Sequence, residues 1–140
     1  MKQNLQMAAL GVTDLQKYVT FYTKCLKWRI SDKSTGDLVI FNVGGLGLAL
    51  YPIDELAKDA NVPNNHQGFS GVTFSFMAKS EKEVDTILSE IKLMGGTITK
   101  PAEKVFWGGY SGYFQDPDGY LFEVAFNPFW EMDENGKIDF

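Results

Sequence analysis

The sequence predicts an α+β protein in which two βαβββ modules pair into a curved, half-open mixed barrel. Three observations predict it. The order strand, helix, then three strands reads twice along the chain. Each helix carries apolar residues at three- and four-residue spacing, so one of its faces is buried. A four-stranded unit standing alone leaves one sheet face exposed, and side-by-side pairing covers it while creating a concave surface. The repeat lies in the order of elements, since residue identity between the halves is weak.

The first module covers about residues 5–52. Leu5–Val12 reads as a strand, and Thr13 or Asp14 can cap a helix running to about Leu26. Leu15, Tyr18, Val19, Tyr22 and Leu26 form its buried stripe. Strands follow at Trp28–Ser31, Asp37–Val43 and Leu46–Tyr51, divided by Lys33-Ser-Thr-Gly36 and Gly44-Gly45. A connector over 53–69 carries one helical turn near Asp54–Ala57. The second module, about 70–127, opens with a strand at Gly71–Met77. Ser80-Glu-Lys-Glu83 matches a capping box, and the helix behind it turns Val84, Ile87, Leu88, Ile91, Leu93 and Met94 inward before stopping at Gly95-Gly96. Strands at Thr97–Phe106, Tyr110–Gln115 and Tyr120–Phe126 complete it. Asn127-Pro128 ends a single domain spanning 1–128, and the Asp133-Glu-Asn-Gly136 turn makes 129–140 a C-terminal tail hairpin.

At 140 residues, with 44% apolar and 22% charged side chains, the chain falls in the one-domain globular class. Its net charge of -5 and scattered basic residues disfavour nucleic acid as a partner. No apolar run approaches the ~20 residues of a membrane span, so no membrane partner is expected. Met1-Lys-Gln-Asn-Leu5 leads into a strand without the apolar core of a signal peptide. One cysteine leaves no internal disulfide, which suits a reducing compartment and a cytoplasmic location.

The most telling stretch is Gly112-Tyr-Phe-Gln-Asp-Pro-Asp-Gly-Tyr-Leu-Phe-Glu-Val-Ala-Phe126, two strands joined by a tight turn. In Asp116-Pro117-Asp118-Gly119, Pro fixes φ, Asp caps the turn and Gly accepts positive φ. Glu123 then stands inside an apolar strand, where a carboxylate is expensive to bury without a partner. This hairpin resembles the closing hairpin of the glyoxalase/bleomycin-resistance/extradiol dioxygenase superfamily, also called the vicinal oxygen chelate proteins. The opening Met7-Ala-Ala-Leu-Gly-Val-Thr-Asp-Leu…Phe21-Tyr…Leu26-Lys-Trp28 is similar to the family's first strand and helix, with Lys27 where that family usually has Gly. The likeness runs to about Pro128 and implies the glyoxalase/bleomycin-resistance fold, with its concave face as the site.

In the metal enzymes of that family, His and Glu side chains on the concave strands hold one divalent ion. The resemblance sets the four ligand positions at Met7, about Leu48, Gly71 (or its neighbour Ser70) and Glu123. Only Glu123 is a suitable donor: Met suits Cu(I), and a lone carboxylate does not hold Mg²⁺, Zn²⁺ or Fe²⁺ against water. No metal and no cofactor is expected. His66, in Asn64-Asn-His-Gln-Gly68, reads as an exposed loop residue, with a swing into the cavity as a lone base as the alternative. Cys25 reads as an inert thiol. Gly44-Gly-Leu-Gly47 joins strand to strand and so reads as a hairpin turn rather than a phosphate loop. Asp116 and Asp118 are too few ligands for calcium.

What remains is an aromatic cavity with one acid, its lining expected from Met7, Phe41, Leu48, Gly71, Trp107, Tyr110 and Glu123. Trp107-Gly-Gly-Tyr110 is similar to a motif found before the closing hairpin of many small family members, and Trp28 and Tyr113 fall nearby in this architecture. The resemblance implies a protein that binds a small planar or aromatic molecule in a metal-free cavity, with catalysis disfavoured. A lyase, isomerase or dioxygenase is the alternative, either cofactor-free with Glu123 as the catalytic acid/base or metal-dependent. A two-fold homodimer is expected from family habit and from the tail aromatics Phe129, Trp130 and Phe140.

Overall fold

The computed structural model describes residues 5–65 and 67–138. The chain divides into two compact units, Met1–Gly68 and Phe69–Phe140, each with its own mixed sheet. The fold is α+β, as the alternation of helix and strand signals predicts.

In the first unit, β1 (Met7–Val12), β2 (Val39–Val43) and β3 (Leu46–Pro52) form a sheet of order β1-β3-β2, with β1 parallel and β2 antiparallel to β3. Helix α1 (Leu15–Lys24) starts at Asp14, whose carboxylate accepts the Lys17 N–H at 3.0 Å. Its stop is unusual. Lys27 takes a left-handed backbone, φ 57°, and the reversal lets the Trp28 N–H donate to the Tyr22 carbonyl at 3.0 Å. That is the conformation glycine adopts most freely. Tyr22 then stacks on Phe41 at 5.4 Å, and Trp28 packs against both rings at 5.3 and 5.8 Å. The strand expected at Trp28–Ser31 is reduced to one bridge, Ile30 to Phe41. The cause is local: the Ser34 hydroxyl accepts the Ile40 N–H at 2.9 Å, competing with a neighbouring strand. The connector turn is a longer helix than expected, α2 (Ile53–Asp59), with no buried side chain.

The second unit contains β4 (Thr73–Met77), α3 (Glu81–Leu93), β5 (Thr97–Lys104), β6 (Tyr110–Gln115) and β7 (Leu121–Phe126), with sheet order β4-β7-β6-β5. The N-cap forms at α3 as predicted, Ser80 Oγ accepting the Glu83 N–H at 3.2 Å. The Glu83 carboxylate reaches back one residue further than a capping box requires and accepts the Lys79 N–H at 2.6 Å. One sheet face packs under α3, where Phe122 stacks on Phe114, Phe74 and Phe76 at 5.1, 5.3 and 5.9 Å. Val84, Leu88 and Ile91 close this core from the helix. The β6–β7 turn forms as its residues dictate: Asp116 is 2% exposed and accepts the Tyr120 N–H at 2.9 Å, while Gly119 takes φ 91°. Because side chains alternate along a strand, β7 must turn Glu123 to the face opposite Phe122. In the tail, the turn at 133–136 closes through Asp133, without strands among the described residues.

Candidate functional site

A cavity of about 880 Å³ opens on the sheet face of the second unit that α3 does not cover. Glu123 lies on its floor. In the strand register Glu123 pairs with Ser75 on β4 and with Tyr113 on β6, so three polar side chains run in a row across three strands. The Ser75 hydroxyl donates to Glu123 Oε2 at 3.0 Å. The Tyr113 hydroxyl also bonds the carboxylate. Its pKa is raised, first by burial and then by the charge of Glu123 and that hydrogen bond. The half-buried carboxylate thus has two partners, which answers the cost of placing it in an apolar strand.

The walls are aromatic. Trp107 stands at the tip of a turn closed by the Gly108 N–H donating to the Val105 carbonyl at 2.9 Å and the Val105 N–H to the Gly109 carbonyl at 3.1 Å. Its indole lies over Gly109, where a Cβ would overlap the ring and come within 2.7 Å of the Phe126 carbonyl oxygen. Gly108, at φ 91°, leaves room for the Phe129 ring. The glycine pair therefore seats two aromatic side chains. Asn127 Oδ1 accepts the Phe129 N–H at 2.9 Å, an Asx turn that directs the tail so that Phe129, Trp130 and Ile138 border the cavity. The far end of the tail is tied by Asp133, which accepts the Lys137 and Asn135 N–H groups at 2.8 and 2.9 Å. Those backbone bonds, Lys137 foremost, hold its carboxyl below the usual range.

Of the residues expected in one cavity, Trp107 and Glu123 share it. Tyr110 sits three residues before Tyr113 and so points the other way: its hydroxyl donates to Asp85 Oδ1 on α3 at 2.9 Å, and that bond is the first cause of its raised pKa. Gly71 precedes β4 in an exposed left-handed conformation, φ 76°. In the first unit, Met7 is 44% exposed and pairs with Gly47. Leu48, one residue on, faces the opposite side, pairs with Phe41, and is 2% exposed against 1% for Phe41. Both belong to the core built on Tyr22. Burial pushes the Cys25 thiol up, away from reactivity. His66 and Phe140 lie outside the described residues. Ser75 went unnamed in the sequence reading, although the alternation Thr73-Phe-Ser-Phe-Met77 marks it as facing away from the Phe core. Phe129 and Trp130, expected at a dimer contact, border the cavity.

A divalent ion of the family type does not fit these residues. Among the described residues, Glu123 is the one carboxylate bordering the cavity, and no group of three or more His, Cys, Asp or Glu that could share an ion occurs. Hydroxyls of Ser and Tyr are weak substitutes for the His and carboxylate ligands these metals require.

The family model of the Glyoxalase/Bleomycin resistance protein/Dioxygenase superfamily matches residues 4–124. The chain belongs to this superfamily. The likeness read from the closing hairpin and the opening strand–helix is therefore borne out. Metallothiol transferase FosB of Lysinibacillus sphaericus is 29% identical over 121 residues, 86% of this chain and 80% of that protein. A Brassica oleracea var. gemmifera protein with a provisional lactoylglutathione lyase designation is 26% identical over 117 residues, and the match spans 81% of this chain but 40% of that longer protein. Among solved structures, a glyoxalase-related enzyme from Fulvimarina pelagi superposes with a TM-score of 0.88 at 27% identity, covering 99% of each chain. Lactoylglutathione lyase from Agrobacterium tumefaciens gives 0.71 at 27% identity, covering 95% of this chain and 100% of that one. Among the described residues, no helix is long and apolar enough to cross a membrane.

Proposed function

We propose that this superfamily member binds a small planar or aromatic molecule in the Trp107–Glu123 cavity, without a resident metal ion. The observation that carries the reading is the pairing of aromatic walls with a single hydrogen-bonded carboxylate in a cavity of about 880 Å³. That volume suits a drug-sized ligand. A flat ring stacked on Trp107 gains about 0.5–1.5 kcal/mol beyond its area burial, while Glu123 accepts a hydrogen bond that fixes its orientation. The donor set supports the metal-free part of the reading. Cysteine usage alone supports a cytoplasmic location. A two-fold homodimer is also part of the proposal, supported by Phe69 and Phe106, 68% and 100% exposed, and sedimentation as a monomer at micromolar concentration would remove it.

A second reading has its own support. A carboxylate held between two hydroxyls on a cavity floor is equipped to take a proton from a bound substrate, and named relatives are a transferase and a lyase. In this reading the chain is a cofactor-free lyase or isomerase with Glu123 as acid/base. One experiment separates the two. Native mass spectrometry of the purified protein should release an intact copurified small molecule, whose rebinding quenches tryptophan fluorescence and is weakened at least about fivefold by Trp107→Ala. Conversion of that molecule by the wild type but not by Glu123→Gln would replace binding with catalysis. Unchanged affinity in Trp107→Ala would remove the cavity from the account.

A further inference from the structure

We propose that the cavity selects flat organic cations over neutral and anionic molecules of the same shape, with Glu123 as the counter-charge. The inference rests on the binding reading above and adds the charge class of the ligand.

Of the described residues bordering the cavity, Glu123 is the only ionisable one; none of them is Lys, Arg or His. Lys79 borders an adjoining hollow of about 260 Å³, which shares Met77, Asn127, Trp130 and Ile138 with the cavity, but Lys79 itself does not line the cavity. Ser75 and Tyr113 bond the carboxylate but bring no positive charge to it. A carboxylate has about four acceptor positions, so capacity remains beside the two hydroxyls for a ligand donor. An anion entering this space meets a like charge with no cation among the described lining residues to offset it. A cation meets the opposite situation.

The walls act in the same direction. Trp107, Phe129 and Trp130 border the cavity, and a cation within about 6 Å of a Trp ring centroid is attracted by the ring quadrupole. Aromatic rings beside one carboxylate are the combination that favours quaternary or protonated nitrogen on an apolar body. The chain's net charge of -5 adds a weak attraction for the same ligands at low ionic strength.

Three probes of one size test the selection: N-methylquinolinium, quinoline and 1-naphthoate, titrated near neutral pH in low salt against tryptophan fluorescence. The cation should bind at least about tenfold more tightly than quinoline, with 1-naphthoate weakest. High salt should narrow the gap between cation and quinoline in the wild type, and Glu123→Gln should narrow it in low salt. Equal affinity for cation and quinoline, tighter binding of 1-naphthoate, or a preference that survives Glu123→Gln would overturn the selection while leaving the binding reading intact. Failure of all three probes to bind would overturn both.

Discussion

Gly109→Ala tests the seat of Trp107. The added methyl would overlap the indole ring and stand 2.7 Å from the Phe126 carbonyl oxygen. The indole can swing away, but the carbonyl belongs to the end of β7 and cannot. Overpacking of this kind costs about 1–3 kcal/mol, and the gain from a less flexible unfolded chain returns about 0.4–1 kcal/mol. For cooperative unfolding, an entropy of about 2.1 cal/mol/K per residue over 140 residues gives roughly 0.3 kcal/mol per degree. The expected fall in Tm is therefore up to about 9 °C. Differential scanning fluorimetry reads it, and tryptophan emission should move to the red as the indole leaves its seat. Gly47→Ala is the control: its nearest neighbours would lie 3.5 Å away, in ordinary contact, so its Tm should hold or rise by up to about 3 °C. In a Trp107→Ala background, Gly109→Ala should cost less than it does alone. An unchanged Tm and emission in Gly109→Ala would refute the placement of Trp107.

Three further outcomes are expected. The purified protein should carry no stoichiometric Zn²⁺, Ni²⁺, Mn²⁺ or Fe²⁺ by elemental analysis, and Glu123→Gln should fold with stability within about 1 kcal/mol of wild type, because its carbonyl still accepts a hydroxyl; one equivalent of metal lost in that variant would contradict the donor-set argument. Asp133 has a lowered pKa in the folded chain, so its contribution is complete above the ordinary Asp value of about 3.9 and is lost as pH falls through the lowered one. Chymotryptic-type cleavage in the tail after Trp130, read with an acid-tolerant protease, should therefore accelerate only in acid for the wild type but already at neutral pH for Asp133→Ala. Lys27→Gly should raise Tm by up to about 3 °C, since relief of a left-handed non-glycine residue (about 1–2 kcal/mol) exceeds the entropy cost of glycine; a fall would show that the Lys27 side chain matters more than its backbone.

Short-range features were legible. Asp14, Ser80 and Asp116 do what their neighbours in sequence require of them, because caps and turns are settled within four residues. The strand at Trp28–Ser31 failed on the same scale, where the Ser34 hydroxyl takes the Ile40 N–H. The site was less legible, because which face a residue occupies depends on register. A one-residue slip reverses every side chain in a strand: Gly47, not Leu48, shares a face with Met7, and Tyr113, not Tyr110, stands beside Glu123. Ser75 became a partner of Glu123 only through the parallel pairing of β4 with β7, which joins residues 48 apart in sequence. The aromatic walls from Phe129 and Trp130 depend on an Asx turn at Asn127 that sends the tail toward the cavity.

The chain has three tryptophans, and their indole N–H resonances report on the central claim separately. Trp107 and Trp130 border the cavity, whereas Trp28 packs on Tyr22 and Phe41 in the first unit's core. In a ¹⁵N-correlated NMR titration with N-methylquinolinium, with excess chelator present, the two cavity resonances should shift in a saturable way and the Trp28 resonance should stay in place. Absence of any shift, a shift of Trp28 alone, or shifts that appear only after a divalent metal is restored would contradict a metal-free binding cavity built on Trp107 and Glu123.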